Sequence, residues 1–216
     1  MGFKGTHPLL LQPRRLGIAV LAGAVGAVFF LFIFPKGSIS TLMHHVLHLP
    51  GPGAGIALIL GPVALVFALI SSHLARGAAG GALLAALAFS VAYATVVAVL
   101  RLPTSEKGMF GSLWFVMALT ACGVLVEGLL FLTRGLRLRW RFILAASGAN
   151  TGLLVFYWVV IFPRTEGWVS WGAVPLLLAM SLAGGLVAGA AAWALSIRIP
   201  DLVGLVPRRE SDVRTR

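Results

Sequence analysis

Six long apolar runs separated by short polar stretches leave this chain few folds to adopt. They cover residues 16–34, 54–70, 78–100, 109–132, 142–162 and 173–197. Each is about 17 to 25 residues, enough for a helix rising about 1.5 Å per residue to cross about 30 Å of hydrocarbon. In lipid the backbone must satisfy its own hydrogen bonds, so such runs are helical. A membrane β-barrel would need alternating segments of about ten residues, and the sequence has none. Hydrophobic residues make up 59% of the chain and charged residues only 11%, against about a quarter charged in soluble domains. The expected fold is all-α: a polytopic membrane protein with six transmembrane helices, located in the cell membrane.

Basic residues give the orientation. The stretch 133–141, TRGLRLRWR, packs Arg134, Arg137, Arg139 and Arg141 between two apolar runs. Arginines beside spans are strongly biased to the cytoplasmic side. With that loop inside, Lys4, Arg14, Arg15, Arg76 and the five arginines of the C-terminal tail also lie inside. Only Lys36, Arg101, Lys107 and Arg164 lie outside. Six spans with both termini cytoplasmic satisfy this bias. The expected organisation is a basic tail over 1–15, a membrane domain over 16–197 and a polar tail over 198–216. Span two is the weakest of the six, because Pro62 and its glycines are expected to bend it or make it re-entrant. The net charge of +11 follows this loop distribution and does not call for nucleic acid. The single cysteine, Cys122, lies within a span and excludes an intrachain disulfide.

Small residues concentrate in spans one, three and six. Ala19, Gly23 and Ala27 recur every four residues in span one, span three opens GAAGGALLAALA, and span six reads SLAGGLVAGAAAWAL. Such spacing lets helix backbones approach closely, either within the bundle or at a docking face for another membrane subunit.

Few residues can carry chemistry. Glu127 is the only acidic residue inside a span. It lies about 8 Å from the inner end of span four, and an intramembrane carboxylate is a functional candidate by default. It either pairs with a snorkelling arginine such as Arg134 or serves as a proton or ligand site. Asn150 and Thr151 are expected at a similar depth. Aromatics gather toward the outside: Trp114 and Phe115, then Phe156, Tyr157 and Trp158, then Trp168 and Trp171. They form an interfacial belt, or a pocket that stacks a flat ligand with Arg164 or Glu166 adding a polar contact. His44 and His48 are four apart and share a face if their segment is helical, but a metal site needs further ligands. No metal site or cofactor is expected. There is no HExxH motif, the only aspartates are Asp201 and Asp212, and no nucleotide-binding loop exists. The chain is not read as an enzyme.

Six helices in about 200 residues, a small-residue face at Ala19, Gly23 and Ala27, and a long linker over 36–53 resemble the S components of energy-coupling factor vitamin transporters. Gly23 departs from that family's alanine pattern. Met43-His44 is internal, unlike the N-terminal metal-binding pair of its cobalt and nickel branch. The resemblance implies a substrate-binding membrane subunit for a small, aromatic or heterocyclic nutrient. It also implies a transmembrane coupling subunit docked on the span-one face, and two cytoplasmic ATPases. Candidate substrate contacts are Trp114, Tyr157, Trp158, Arg164, Trp168 and Trp171. The alternatives are a proton-coupled carrier using Glu127 and a non-transport assembly subunit.

Overall fold

A computed structural model describes residues 13–33, 42, 53–74, 80–100, 113–161, 163 and 171–202. Within them the chain forms six helices. They are α1 (Pro13–Ile33), α2 (Ile56–Leu74), α3 (Gly81–Val99), α4 (Leu113–Leu132), α5 (Leu138–Phe156) and α6 (Val174–Leu202). Two of them contain π-helical turns: Ile56–Leu60 opens α2, and Tyr157–Ile161 prolongs α5. A 3-10 turn, Trp171–Ala173, leads into α6. Helices α2 to α6 are each long and apolar enough to cross a membrane, and α1 carries a shorter apolar stretch, Gly17–Ile33. This is an all-α, multi-pass membrane protein.

Helix ends run past the apolar runs where the interface tolerates charge. Helix α5 starts at Leu138 rather than near 142, which places Arg139, Trp140 and Arg141 in its first turn. Helix α2 continues through Ser71 and Ser72 to Leu74, and α6 reaches Leu202. Hydropathy reports the width of the hydrocarbon, whereas a helix can continue into the headgroup layer.

Helix α2 occupies the middle of the bundle and touches all five others. Of its span 61% is buried, against 39 to 50% for α3 to α6. The stretch that Pro62 and its glycines marked as weakest is therefore the central helix, and its irregularity is a π turn inside a continuous Ile56–Leu74 helix. Around it, α1 packs on α3, α3 on α4, α4 on α5 and α5 on α6. The core is built from α2 residues such as Leu60, Leu65 and Leu69, met by Phe30, Phe89, Phe115, Leu119, Leu153 and Leu177.

Small residues set the closest helix crossings. A Cβ on Gly23 would strike the Ala85 carbonyl of α3, and one on Gly185 would strike the Ser147 backbone of α5. Gly189 meets the Ile143 backbone in the same way, one turn below Gly185. Close backbone approach of this kind supplies the packing that holds helices together in lipid. The outward face of α1 is broad and apolar, with Leu21, Val25 and Phe32 at least half exposed.

The hairpin between α4 and α5 is short and hydrogen-bonded throughout. Thr133 N–H donates to the Leu129 carbonyl and Leu136 N–H to the Thr133 carbonyl. The Thr133 hydroxyl also donates to the Leu129 carbonyl, at 2.6 Å. Arg141 Nε donates to the Leu130 carbonyl at 3.0 Å, so a cation caps the negative end of α4.

Candidate functional site

Pro62 frees a carbonyl in the middle of the bundle. In the π turn that opens α2, Gly61 N–H reaches back to the Ile56 carbonyl instead of Ala57. The next donor in that register would be residue 62, and proline has none. The Ala57 carbonyl is thus left without a backbone donor in a place where water is scarce. Asn150 of α5 supplies one: its Nδ2 donates to the Ala57 carbonyl at 2.8 Å and to the Ser181 carbonyl of α6 at 2.7 Å. One amide ties three helices together.

The room for this amide comes from glycine. A Cβ on Gly61 would collide with Asn150 Oδ1, and a Cβ on Gly184 would meet the Ala57 carbonyl, Pro62 and Asn150 Nδ2. Asn150 is completely buried. Its Oδ1 and the hydroxyls of Ser147, Thr151 and Ser181 are buried with no hydrogen-bond partner among the described residues. Elsewhere the hydroxyls of Ser90, Thr95 and Thr120 bond back to carbonyls of their own helices, the usual solution in a membrane helix. Asn150 with Ser181, and Ser147 where it meets Gly185, therefore bring neutral polar groups with unused hydrogen-bonding capacity to the seam between α5 and α6.

Glu127 solves the converse problem. Helix α3 begins after Gly80, whose φ of +96° is left-handed and which carries no side chain to cap the helix. Glu127 Oε1, from α4, accepts the Ala82 N–H at 2.6 Å. A carboxylate placed at a helix N-terminus satisfies an orphan donor and faces the positive end of the dipole. Ser71 of α2 fastens the same turn by donating to the Gly81 carbonyl at 3.2 Å. Arg134, the example of a snorkelling partner in one of the two readings of Glu127, lies over the Phe131 ring at 4.8 Å. Gly148 and Gly152 of α5 lie against Leu129 and Leu125 of α4, which sets Asn150 at about the level of Glu127 on the neighbouring helix. Asn150 bonds to α2 and α6 and Glu127 to α3, so the two share no hydrogen-bond partner.

The aromatic candidates divide. Tyr157 is buried and Trp158 half-buried, and both lie against Gly53, which enters α2 with φ +105°. The two π turns, Ile56–Leu60 and Tyr157–Ile161, thus open the same end of the bundle. Phe115 is fully buried and stacks 4.8 Å from Tyr93, in a cluster that includes Phe30 and Phe89. Trp171 is 87% exposed and lines nothing among the described residues. The Trp114 side chain, Arg164, Glu166, Trp168, His44, His45 and His48 lie outside the described residues.

The span-one face is occupied within the chain. Ala19 and Ala27 are buried, and Gly23 sits on Ala85 of α3. Among the described residues no group of three or more His, Cys, Asp or Glu comes together, and Cys122 is buried and free. No protein-family model, curated protein or solved structure matches this chain.

The partners of Asn150 are what sequence reasoning missed. Backbone carbonyls carry no residue signature. The available signal was Pro62 itself: a proline inside a span orphans a carbonyl, and a neighbouring span must then offer a donor.

Proposed function

We propose that this chain is a membrane-embedded substrate-binding subunit for a small, aromatic or heterocyclic nutrient, energised by partner ATPases through a transmembrane coupling subunit. The supporting observation is the pairing of two π turns at the end opposite the arginine hairpin, with Tyr157 and Trp158 gathered on Gly53. π turns widen a helix locally and frequently mark functional sites. Aromatic walls with few polar groups suit a flat organic ligand. Under the positive-inside bias this end faces outward, where the linker 36–53 enters α2.

The test is ligand screening by thermal shift on the purified chain, with Tyr157→Ala and Trp158→Ala as variants. A ligand that stabilises the native chain, and whose affinity falls about tenfold or more in either variant, is the expected outcome. Unchanged affinity in both folded variants would remove the pocket. Recovery of an ATPase pair in a gentle detergent preparation supports the energised reading.

A second reading, a proton-coupled carrier, draws on the half-buried Glu127 carboxylate between α3 and α4. It requires that Glu127→Gln abolish uptake while ATP depletion alone does not. Uptake surviving in Glu127→Gln would end it.

A further inference from the structure

The inner end of the bundle carries a concentration of positive charge that no acidic side chain among the described residues pairs with. Arg134, Arg137 and Arg139 are exposed and Arg141 is half-buried, all within the α4–α5 hairpin. From residue 128 to residue 165 the sequence contains no Asp or Glu. The nearest acidic residue before it, Glu127, accepts the Ala82 N–H.

Two of the guanidinium groups are held against rings. Arg134 lies over Phe131, and Arg139 lies 5.7 Å from the Trp140 ring and 5.3 Å from the Trp193 ring of α6. Stacking on aromatic faces fixes the group while leaving its N–H edges free to donate. Beside these cations the surface is apolar. Leu132 is 76% exposed, Phe131 63% and Trp140 54%, and Leu136 and Leu144 are also exposed.

The geometry points to a binding site for an anionic phospholipid of the inner leaflet, its phosphate on Arg134, Arg137 and Arg139 and its acyl chains on the apolar wall of α4 and α5. The combination selects the occupant. A soluble anion would use the arginines alone, with unconnected lipid against the leucines and Phe131, and an acidic polypeptide would bury them only by displacing lipid. A phospholipid satisfies both halves at once, and basic clusters at the cytoplasmic ends of membrane helices attract such headgroups. Arginine forks also match phosphate oxygens geometrically. This site is independent of the substrate reading, since it lies at the opposite end of the bundle from Tyr157 and Trp158.

The experiment is a thermal-unfolding titration of the full chain, delipidated in mild detergent, against dioleoyl phosphatidylglycerol, dioleoyl phosphatidylcholine, glycerol phosphate and poly-glutamate. The native chain should be half-saturated by phosphatidylglycerol at a concentration about a hundredfold below phosphatidylcholine. Arg137→Gln, at an exposed position, should raise the phosphatidylglycerol value about fivefold. The triple variant Arg134→Gln, Arg137→Gln, Arg139→Gln should raise it toward about a hundredfold and bring it level with phosphatidylcholine. Equal half-saturation by the two lipids on the native chain would overturn the site. So would a lipid preference that survives in the folded triple variant or, should that variant not fold, in Arg137→Gln. Full stabilisation by glycerol phosphate would assign the arginines to a soluble anion, and saturation by poly-glutamate below phosphatidylglycerol would assign them to a protein; either result overturns the lipid.

Discussion

Asn150 and Glu127 repair opposite faults in the same bundle. At Asn150 a proline leaves a carbonyl without a donor, and an amide supplies the N–H. At Glu127 a glycine leaves a helix start without a cap, and a carboxylate supplies the acceptor. Their settings differ. Asn150 is fully buried, an amide, and joins α2, α5 and α6, whereas Glu127 is half-buried, an acid, and joins α3 and α4. A polar side chain within a membrane span can therefore be explained by the backbone it completes before any ligand is invoked. The remaining functional interest then falls on what that bond leaves over, namely the unpartnered Oδ1 of Asn150 and its hydroxyl neighbours.

The contrast predicts a ranking of substitutions. Asn150→Leu removes two hydrogen bonds and crowds Gly61 and Gly184. It should cost about 2–4 kcal/mol in reversible unfolding from detergent micelles. Gly61→Ala leaves the amide in place but pushes a methyl into Oδ1. It should cost about 1–3 kcal/mol in the same measurement, and a neutral result would show that the seam is looser than its geometry. Glu127→Ala removes the cap of α3 and should cost about 1–2 kcal/mol. Glu127→Gln keeps an acceptor oxygen and should cost less than about 1 kcal/mol. Equal losses in both Glu127 variants would mean that charge, and not capping, governs that residue. Gly128→Ala, beside Glu127 but facing open space, should lie within about 0.5 kcal/mol of the native chain.

Hydropathy made the helices legible because the bilayer imposes one length on every span. Four-residue spacing also marked Ala19, Gly23 and Ala27 as a close-packing face. What spacing does not carry is rotation: the same triplet packs on α3 or on another subunit, and only the fold places Gly23 on Ala85. Asn150 was visible as a polar residue in an apolar run, yet the run does not show that it turns toward α2 and α6 while Glu127 turns toward α3. Pro62 suggested a weak span for a sound reason, the missing N–H. The compensation lies about ninety residues away, in Asn150, and brings α2 to the centre rather than expelling it. Of the aromatic candidates, Tyr157 and Trp158 meet at Gly53, while Trp171 points outward. Composition alone cannot separate those two fates at an interface that favours tryptophan in either case.

A double-mutant cycle between Asn150→Ala and Pro62→Ala asks whether the amide replaces the hydrogen bond that proline cannot make. With alanine at 62 the backbone regains a donor for the start of α2, so the Ala57 carbonyl no longer depends on Asn150. Asn150→Ala should then cost at least about 1 kcal/mol less in the Pro62→Ala background than in the native chain. Costs that add to within about 0.5 kcal/mol would contradict that link and leave Asn150 to be explained by something it binds.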